Sequence, residues 1–389
     1  MKVRLNDVAD RITGNVDRFN TDLLYYLGGE HYESNQIAIY ERGTLKSENG
    51  AKLGFKFHFP FVAGDTIFMS RNPHLRKAGM VMYDGICSDT SYIIRTKNPD
   101  VLDPKYLPLV IQNDLFWDFF EANKSGSVNY LLNWKEMKDY EFDLPPIEEQ
   151  RRVASIVWAA EDCRRKYLAL KEATDSIMFA TFVKMFGNLG TDEKEWGLTS
   201  LGECCILNPK RPKGIPDELE VSFVPMPSVS EEGRIESSEN KAYGEVKKGF
   251  TYFAENDVLF AKITPCMENG KGAVAKNLSN GIGAGSTEFH VLRPIEGKSN
   301  PYWLYAVTKF DCFRREARQM MTGTGGQLRV PISFLENYVL TLPPIELQNQ
   351  FEKFVLQNSK SKNELENSII STEKLIKSLI QNDIGRQEG

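Results

Sequence analysis

The chain has 389 residues, of which 41% are hydrophobic and 26% charged, a soluble globular balance at a length suited to two or three domains. No run of 18 or more apolar residues occurs and Met1–Asp10 lacks an apolar signal-peptide core, so no membrane span is expected and the cytoplasm is the expected location. The net charge of −5 carries no basic excess: residues 1–143 hold 17 basic and 20 acidic side chains, and residues 196–341 hold 17 of each. Affinity for nucleic acid would therefore have to come from basic residues clustered on one face, or from a partner.

In chain order, alternating or β-branched runs predict strands at Thr66–Met69, Met80–Tyr83 and Ser91–Ile94. A helix is expected over Pro104–Phe120. Leu144-Pro145-Pro146-Ile147-Glu148-Glu149-Gln150 then opens a long polar helix, because proline is suited to the first helical turn. That helix is predicted from Ile147 to about Phe186, roughly 60 Å long. Its heptad seam reads Val153, Ile156, Ala160, Cys163, Tyr167, Leu170, Thr174, Ile177 and Thr181, with Arg164, Arg165 and Lys166 on its flanks. In the second half, strands are predicted at Val258–Lys262 and Phe289–Leu292, and a helix over Pro301–Met321. Leu342-Pro343-Pro344-Ile345-Glu346-Leu347-Gln348 opens a second long helix. Its seam reads Phe351, Val355, Asn358, Lys362, Leu365, Ile369, Thr372, Ile376 and Leu379.

The two proline motifs lie 198 residues apart, and other matches keep nearly the same spacing. Ser88–Arg95 parallels Ser286–Arg293, Gly64–Phe68 parallels Asn256–Phe260, and Leu5 parallels Leu201. Several matches in one order mean duplication, with a period too long for a solenoid. The expected fold class is α+β: two similar domains with twisted sheets, separated by two long helices that pair as an antiparallel coiled coil. The divisions are 1–143 for the first domain, 144–190 for the central helix, 191–341 for the second domain and 342–389 for the last helix.

Catalytic patterns are missing. Gly297-Lys298-Ser299 ends like a phosphate-binding loop, but the first glycine that loop requires is Leu292. Gly281-Ile282-Gly283-Ala284-Gly285 precedes a strand pattern where a dinucleotide loop must follow one, so it reads as a turn or a close backbone approach. No His-Glu-x-x-His occurs among His31, His58, His74 and His290, and His290 matches Tyr92 in the other repeat, which suits a structural role. The six cysteines have no metal or disulfide spacing and read as reduced, mostly buried thiols. No catalytic centre, cofactor or metal site is expected.

The repeated Leu-Pro-Pro-Ile-x-x-Gln helix start resembles the specificity subunits of type I restriction-modification systems. So do Asp257–Gly272, Gly285–Phe289 and Thr322–Gln327, with weaker counterparts at Asp84–Ser88 and Lys124–Ser127. The resemblance covers the whole chain. It implies two target recognition domains, each reading one half of a split double-stranded DNA site, spaced by the two helices. It implies docking of two modification subunits, which methylate adenine, and of translocating restriction subunits. S-adenosylmethionine, ATP and Mg are then implied for those partners alone, and the chain itself is a non-enzyme. The last helix is followed by only Asp383–Gly389, so any extension completing a circular arrangement is expected to be short.

Arginine and lysine pair with guanine edges, asparagine and glutamine with adenine. Loops beside the strand runs offer such side chains: Ser70–Lys77, with Arg71, Asn72, Arg76 and Lys77; Lys124; and Lys262–Lys271, with Lys262, Thr264, Asn269 and Lys271. The run Gly323–Arg329, with Gln327 and Arg329, offers a backbone that can approach phosphates. These eleven residues are the candidate DNA-binding set. Two alternatives stand beside this reading: a self-contained DNA methyltransferase or nuclease with the same reading heads, and an assembly scaffold that never touches DNA.

Overall fold

The computed structural model describes residues 1–72, 75–125, 130–324 and 326–384. The chain divides into two compact units: Met1–Leu168 together with the chain from Glu366 onward, and Ala169–Leu365. The first long helix, Ile147–Phe186, thus begins in one unit and ends in the other, as does the second, Ile345–Ile384. Among the described residues no helix is long and apolar enough to cross a membrane.

Each unit is built on two sheets. In the first, one sheet runs in the order Ala9–Ile12, Ser91–Thr96, Thr66–Met69, Ala78–Val81, Ala38–Ile39, and the other in the order Gly43–Thr44, Tyr25–Leu27, Gly85–Ser88, Phe57–Phe61. In the second, the orders are Cys205–Leu207, Phe289–Pro294, Val258–Ala261, Gly272–Val274 and Glu239–Ala242, Glu220–Val224, Ile282–Gly285, Thr251–Ala254. Apart from one added edge strand in the first unit, the orders correspond strand for strand. Even a parallel pairing in the otherwise antiparallel second sheet of each unit recurs, between Tyr25–Leu27 and Gly85–Ser88 and between Glu220–Val224 and Ile282–Gly285. A two-stranded ribbon closes each unit, Lys2–Arg4 with Glu141–Asp143 and Leu198–Ser200 with Val339–Thr341.

The repeated residues explain this likeness. Asp65 and Asp257 are buried, and each accepts a bidentate pair from an arginine on the neighbouring strand, Arg95 at 2.6 and 2.8 Å and Arg293 at 2.8 and 2.7 Å. The residue before each aspartate turns the chain with positive φ, +96° at Gly64 and +72° at Asn256; glycine and asparagine are the residue types that tolerate that region. The glutamine of each proline motif is wholly buried. Gln150 donates to the carbonyls of Val101 and Pro145 and accepts from the Asp103 amide; Gln348 donates to Lys298 and Pro343 and accepts from Asn300. Three hydrogen bonds from one side chain thereby fasten each helix start to its unit.

Several expectations need correction. The segment Pro104–Phe120 forms two helices, Leu107–Gln112 and Asp114–Asn123, broken at Asn113, which is extended and whose side chain caps the second. Pro301–Met321 likewise breaks at the extended Phe310, giving Pro301–Lys309 and Asp311–Gln319. The glycine run at 281–285 is a strand, Ile282–Gly285, with a positive-φ turn only at Gly281; the close approach is real, since a Cβ on Gly285 would lie 2.3 Å from the Val224 carbonyl. Three of the six cysteines, Cys87, Cys204 and Cys205, are buried and the other three partly so; all are free thiols.

The seam of the first long helix is also shifted. Ile156, Leu170 and Ile177 are exposed, whereas Val153, Ala154, Val157, Glu161, Arg164, Thr174, Phe182 and Phe186 are buried. Arg164, expected on the flank, is inside, bonded to Glu161 on its own helix and 3.5 Å from Glu373 on the other. Every position read for the second helix is buried or half-buried. Within each unit the two helices run antiparallel. Val153, Ala154 and Val157 share a core with Ile376 and Ile380, and Phe182 and Phe186 pack on Phe351.

Candidate nucleic-acid interface

Three chain segments meet at one end of the sheet that holds Thr66–Met69 in the first unit and Val258–Ala261 in the second. In the first unit they are the loop after Thr66–Met69, the turn 88–90 and the segment ending at Leu132. The Ser70 amide donates to Thr90, the Leu132 amide to Ser70 and the Asn72 amide to Tyr130, and Arg71 bridges to Leu131. In the second unit the Lys262 amide donates to Glu288, Val330 to Lys262 and Thr264 to Leu328, and Ile263 bridges to Arg329. The same four backbone links are thus made twice, holding Ser70–Asn72 and Lys262–Thr264 alike although no residue of one triplet is identical to its counterpart in the other.

A side chain supports each cluster from beneath. Tyr92 donates its hydroxyl to the Leu132 carbonyl at 3.0 Å, and His290, at the matching position, bonds the Val330 carbonyl through Nε2 at 2.8 Å. A carbonyl only accepts, so Nε2 carries the proton and Nδ1 accepts from Asn208 at 3.2 Å. Burial lowers the His290 pKa below the usual histidine value and keeps the ring neutral. Its role is structural.

The candidate residues fall into two groups. Arg76 pairs with Asp114, Lys77 donates to the Gly29 carbonyl, and Lys124 pairs with Glu121 and lies over the Tyr130 ring. The Thr264 hydroxyl bonds the Leu328 carbonyl. Arg329 forks onto Glu288, and this pairing holds the Glu288 carboxyl below the usual range. These five side chains are occupied within the fold. The other six, Arg71, Asn72, Lys262, Asn269, Lys271 and Gln327, have exposed or half-buried side chains that bond to none of the described residues. Lys77 and Lys271 are structural counterparts, each bonding backbone-to-backbone with the strand before its loop, at Met69 and Ala261.

The glycine-rich run is a hairpin, Thr322–Thr324 with Gln327–Arg329. Gly323 has φ +140°, and a Cβ there would lie 2.5 Å from the Gln327 carbonyl, so hairpin closure itself requires this glycine. Pro73, His74, Gly126, Ser127 and Gly325, named in the sequence reading, lie outside the described residues, as does most of the terminal segment after Asp383. Sequence reasoning missed the turns 88–90 and 286–288 as partners of the loops, although the repeat Ser88–Arg95 and Ser286–Arg293 contained them.

Burial pushes the Cys87 and Cys205 thiols up to about 12 and Cys204 to about 11, which disfavours the reactive thiolate. Among the described residues no group of three His, Cys, Asp or Glu side chains is placed to hold a metal ion.

A family model described as "Type I restriction modification DNA specificity domain" matches residues 1–164 and 193–373. The chain is 45% identical over 150 residues to the type I restriction enzyme EcoEI specificity subunit of Escherichia coli, covering 38% of this chain and 25% of that protein. It is 43% identical over 157 residues to the EcoAI specificity subunit of Escherichia coli, covering 40% and 26%. These matches span about a quarter of each relative's length. Among solved structures, a type I restriction-modification system S subunit from M. genitalium aligns with TM-score 0.57 and 12% identity, over 99% of this chain and 96% of that one. A chain from a study of assembly and conformational transition of the type I R-M system aligns with TM-score 0.55 and 18% identity, over 98% of both. These two show a shared fold.

Proposed function

Because the chain belongs to the type I restriction modification DNA specificity family, we propose that it is the sequence-reading subunit of a type I restriction-modification enzyme, each unit reading one half of a split double-stranded DNA site. The observation that carries this reading is the three-segment cluster built twice, with unoccupied polar side chains left on it. Arg71 and Asn72 in the first unit, and Lys262, Asn269, Lys271 and Gln327 in the second, are the types that pair with guanine and adenine edges. Arg76, Lys77, Lys124, Thr264 and Arg329 shape the loops and reach DNA only by leaving their present partners.

The chain supplies recognition and no chemistry. Methyl transfer from S-adenosylmethionine and any translocation driven by ATP and Mg belong to partner subunits. The exposed faces of the two long helices are where two modification subunits dock, with restriction subunits joining them. Such a protein works in the cytoplasm, where its DNA is. The test is selection of binding sites from a random duplex library by the chain assembled with its modification subunits, beside assays of the chain alone. A bipartite sequence should be enriched, and the chain alone should show no methyltransferase, nuclease or ATPase activity. Failure to select a bipartite site, or activity in the pure chain, would overturn the reading.

A further inference from the structure

Outside the reading clusters, Lys-x-Gly-Phe occurs twice, as Lys52-Leu53-Gly54-Phe55 and Lys247-Lys248-Gly249-Phe250. Each leads into an edge strand, Phe57–Phe61 or Thr251–Ala254, of the sheet that holds Gly85–Ser88 or Ile282–Gly285. Those strands run antiparallel to Gly85–Ser88 and Ile282–Gly285, with Phe57 opposite Ser88 and Thr251 opposite Gly285. The loop before one strand therefore lies beside the turn after the other, which is the turn 88–90 or 286–288 of the reading cluster. In the first unit the contact is direct: the Asp89 amide donates to the Lys56 carbonyl at 3.1 Å. An arginine fastens each loop, Arg18 at the Gly54 carbonyl and Arg211 one motif position later, at the Phe250 carbonyl, both at 2.5 Å.

The two loops carry different side chains on this shared frame. Phe55 is 85% exposed and Phe19, beside the fastening arginine, 78%. Phe250 is only 37% exposed, its ring edge-on to Phe223. The second unit instead carries exposed lysines on both sides of Arg211 in the chain, Lys210 and Lys213, and Lys248 in the loop itself, which bond to none of the described residues, while Asp217 is taken by Lys247. We propose, resting on the DNA-reading function above, that both loops are flanking contacts on the duplex beside each half-site. Phe55 packs as an apolar wedge against bases or sugar, and Lys210, Lys213 and Lys248 neutralise phosphates. Apolar residues at such positions insert between base steps, and unpaired lysines release counterions from the backbone.

The two chemistries separate by salt. With the assembled complex and a duplex carrying its selected site, Kd is measured between 50 and 200 mM salt. Phe55→Ala should weaken binding about fivefold or more at every salt concentration, with an unchanged slope of log affinity against log salt. Phe55→Trp should bind like the unchanged chain. Lys210→Ala/Lys213→Ala/Lys248→Ala should flatten the slope by about 2 to 3. The selected half-sequences should stay the same in all variants. Unchanged Kd and slope in both loop variants would overturn the proposal, as would a loss traced by size exclusion to failed assembly with the modification subunits. A reading-cluster variant, Lys262→Ala/Lys271→Ala, run in parallel separates the two ideas. If it relaxes selection while the loop variants behave as wild type, only the loops are refuted. If the unchanged complex selects no sequence, the DNA-reading function itself falls.

Discussion

At the scale of single residues, the repeat shows which positions are fixed by chemistry and which by shape. Gln150 and Gln348 are fixed by chemistry, since each uses one amide oxygen and both amide hydrogens on three backbone groups. The position held by Tyr92 and His290 is fixed by one demand, a donor reaching the same carbonyl, and two residue types meet it. His290 brings a pH dependence that tyrosine lacks. Its folded pKa lies below the unfolded value of about 6.5. The unfolded chain therefore takes up a proton first as pH falls, and the stability due to the neutral ring is full above about 6.5 and lost below it. His290→Tyr should remove this part of the acid sensitivity. Urea midpoints of the two proteins should keep a constant difference from pH 8 to pH 7 and move in the variant's favour towards pH 5.5. Other titrating groups, His31 among them, are common to both; identical acid slopes would contradict the role given to His290.

At the scale of elements, the strands and both long helices were legible because periodicity and proline placement are local signals. Ile147 to Phe186 is found as read. The two short helical regions were read as continuous because their breaks, at Asn113 and Phe310, are set by packing: the Asn113 side chain donates to the Ile380 carbonyl, and Phe310 packs on Phe179 and Phe182. The first seam slipped for a similar reason. Arginine and glutamate are rarely buried unless paired, so the apolar Ile156, Leu170 and Ile177 read as the inner face. The Glu161–Arg164 spacing of three residues was the available sign of a pair facing inward together. Removing one partner of such a buried pair leaves an uncompensated charge, whereas replacing both by apolar residues is often neutral. Arg164→Met alone should cost about 3–5 kcal/mol, read as a lowered urea midpoint, and Glu161→Leu added to it should recover most of the loss. A single variant as stable as the unchanged chain would show that the pair is not desolvated.

At the scale of the whole molecule, duplication was the most legible property. Seven residues of the proline motif, the Gly64/Asn256 turn and the Ser88/Ser286 run sufficed to predict two units of one fold, and the strand orders agree. What each loop residue does was less legible, because its partner comes from elsewhere in the chain. Arg329 and Lys262 look alike as sequence and both lie by Glu288, yet only the Arg329 side chain bonds its carboxylate. The proposed function requires each unit to read its own half-site through its own cluster. Genome-wide mapping of methylated sites tests it directly, in cells where the chain works with its modification subunits. Arg71→Ala/Asn72→Ala should relax one half of the recognised sequence, and Lys262→Ala/Lys271→Ala only the other, each lost base contact weakening binding by about 1–3 kcal/mol. Relaxation of both halves by either variant, or of neither half by both, would contradict that requirement.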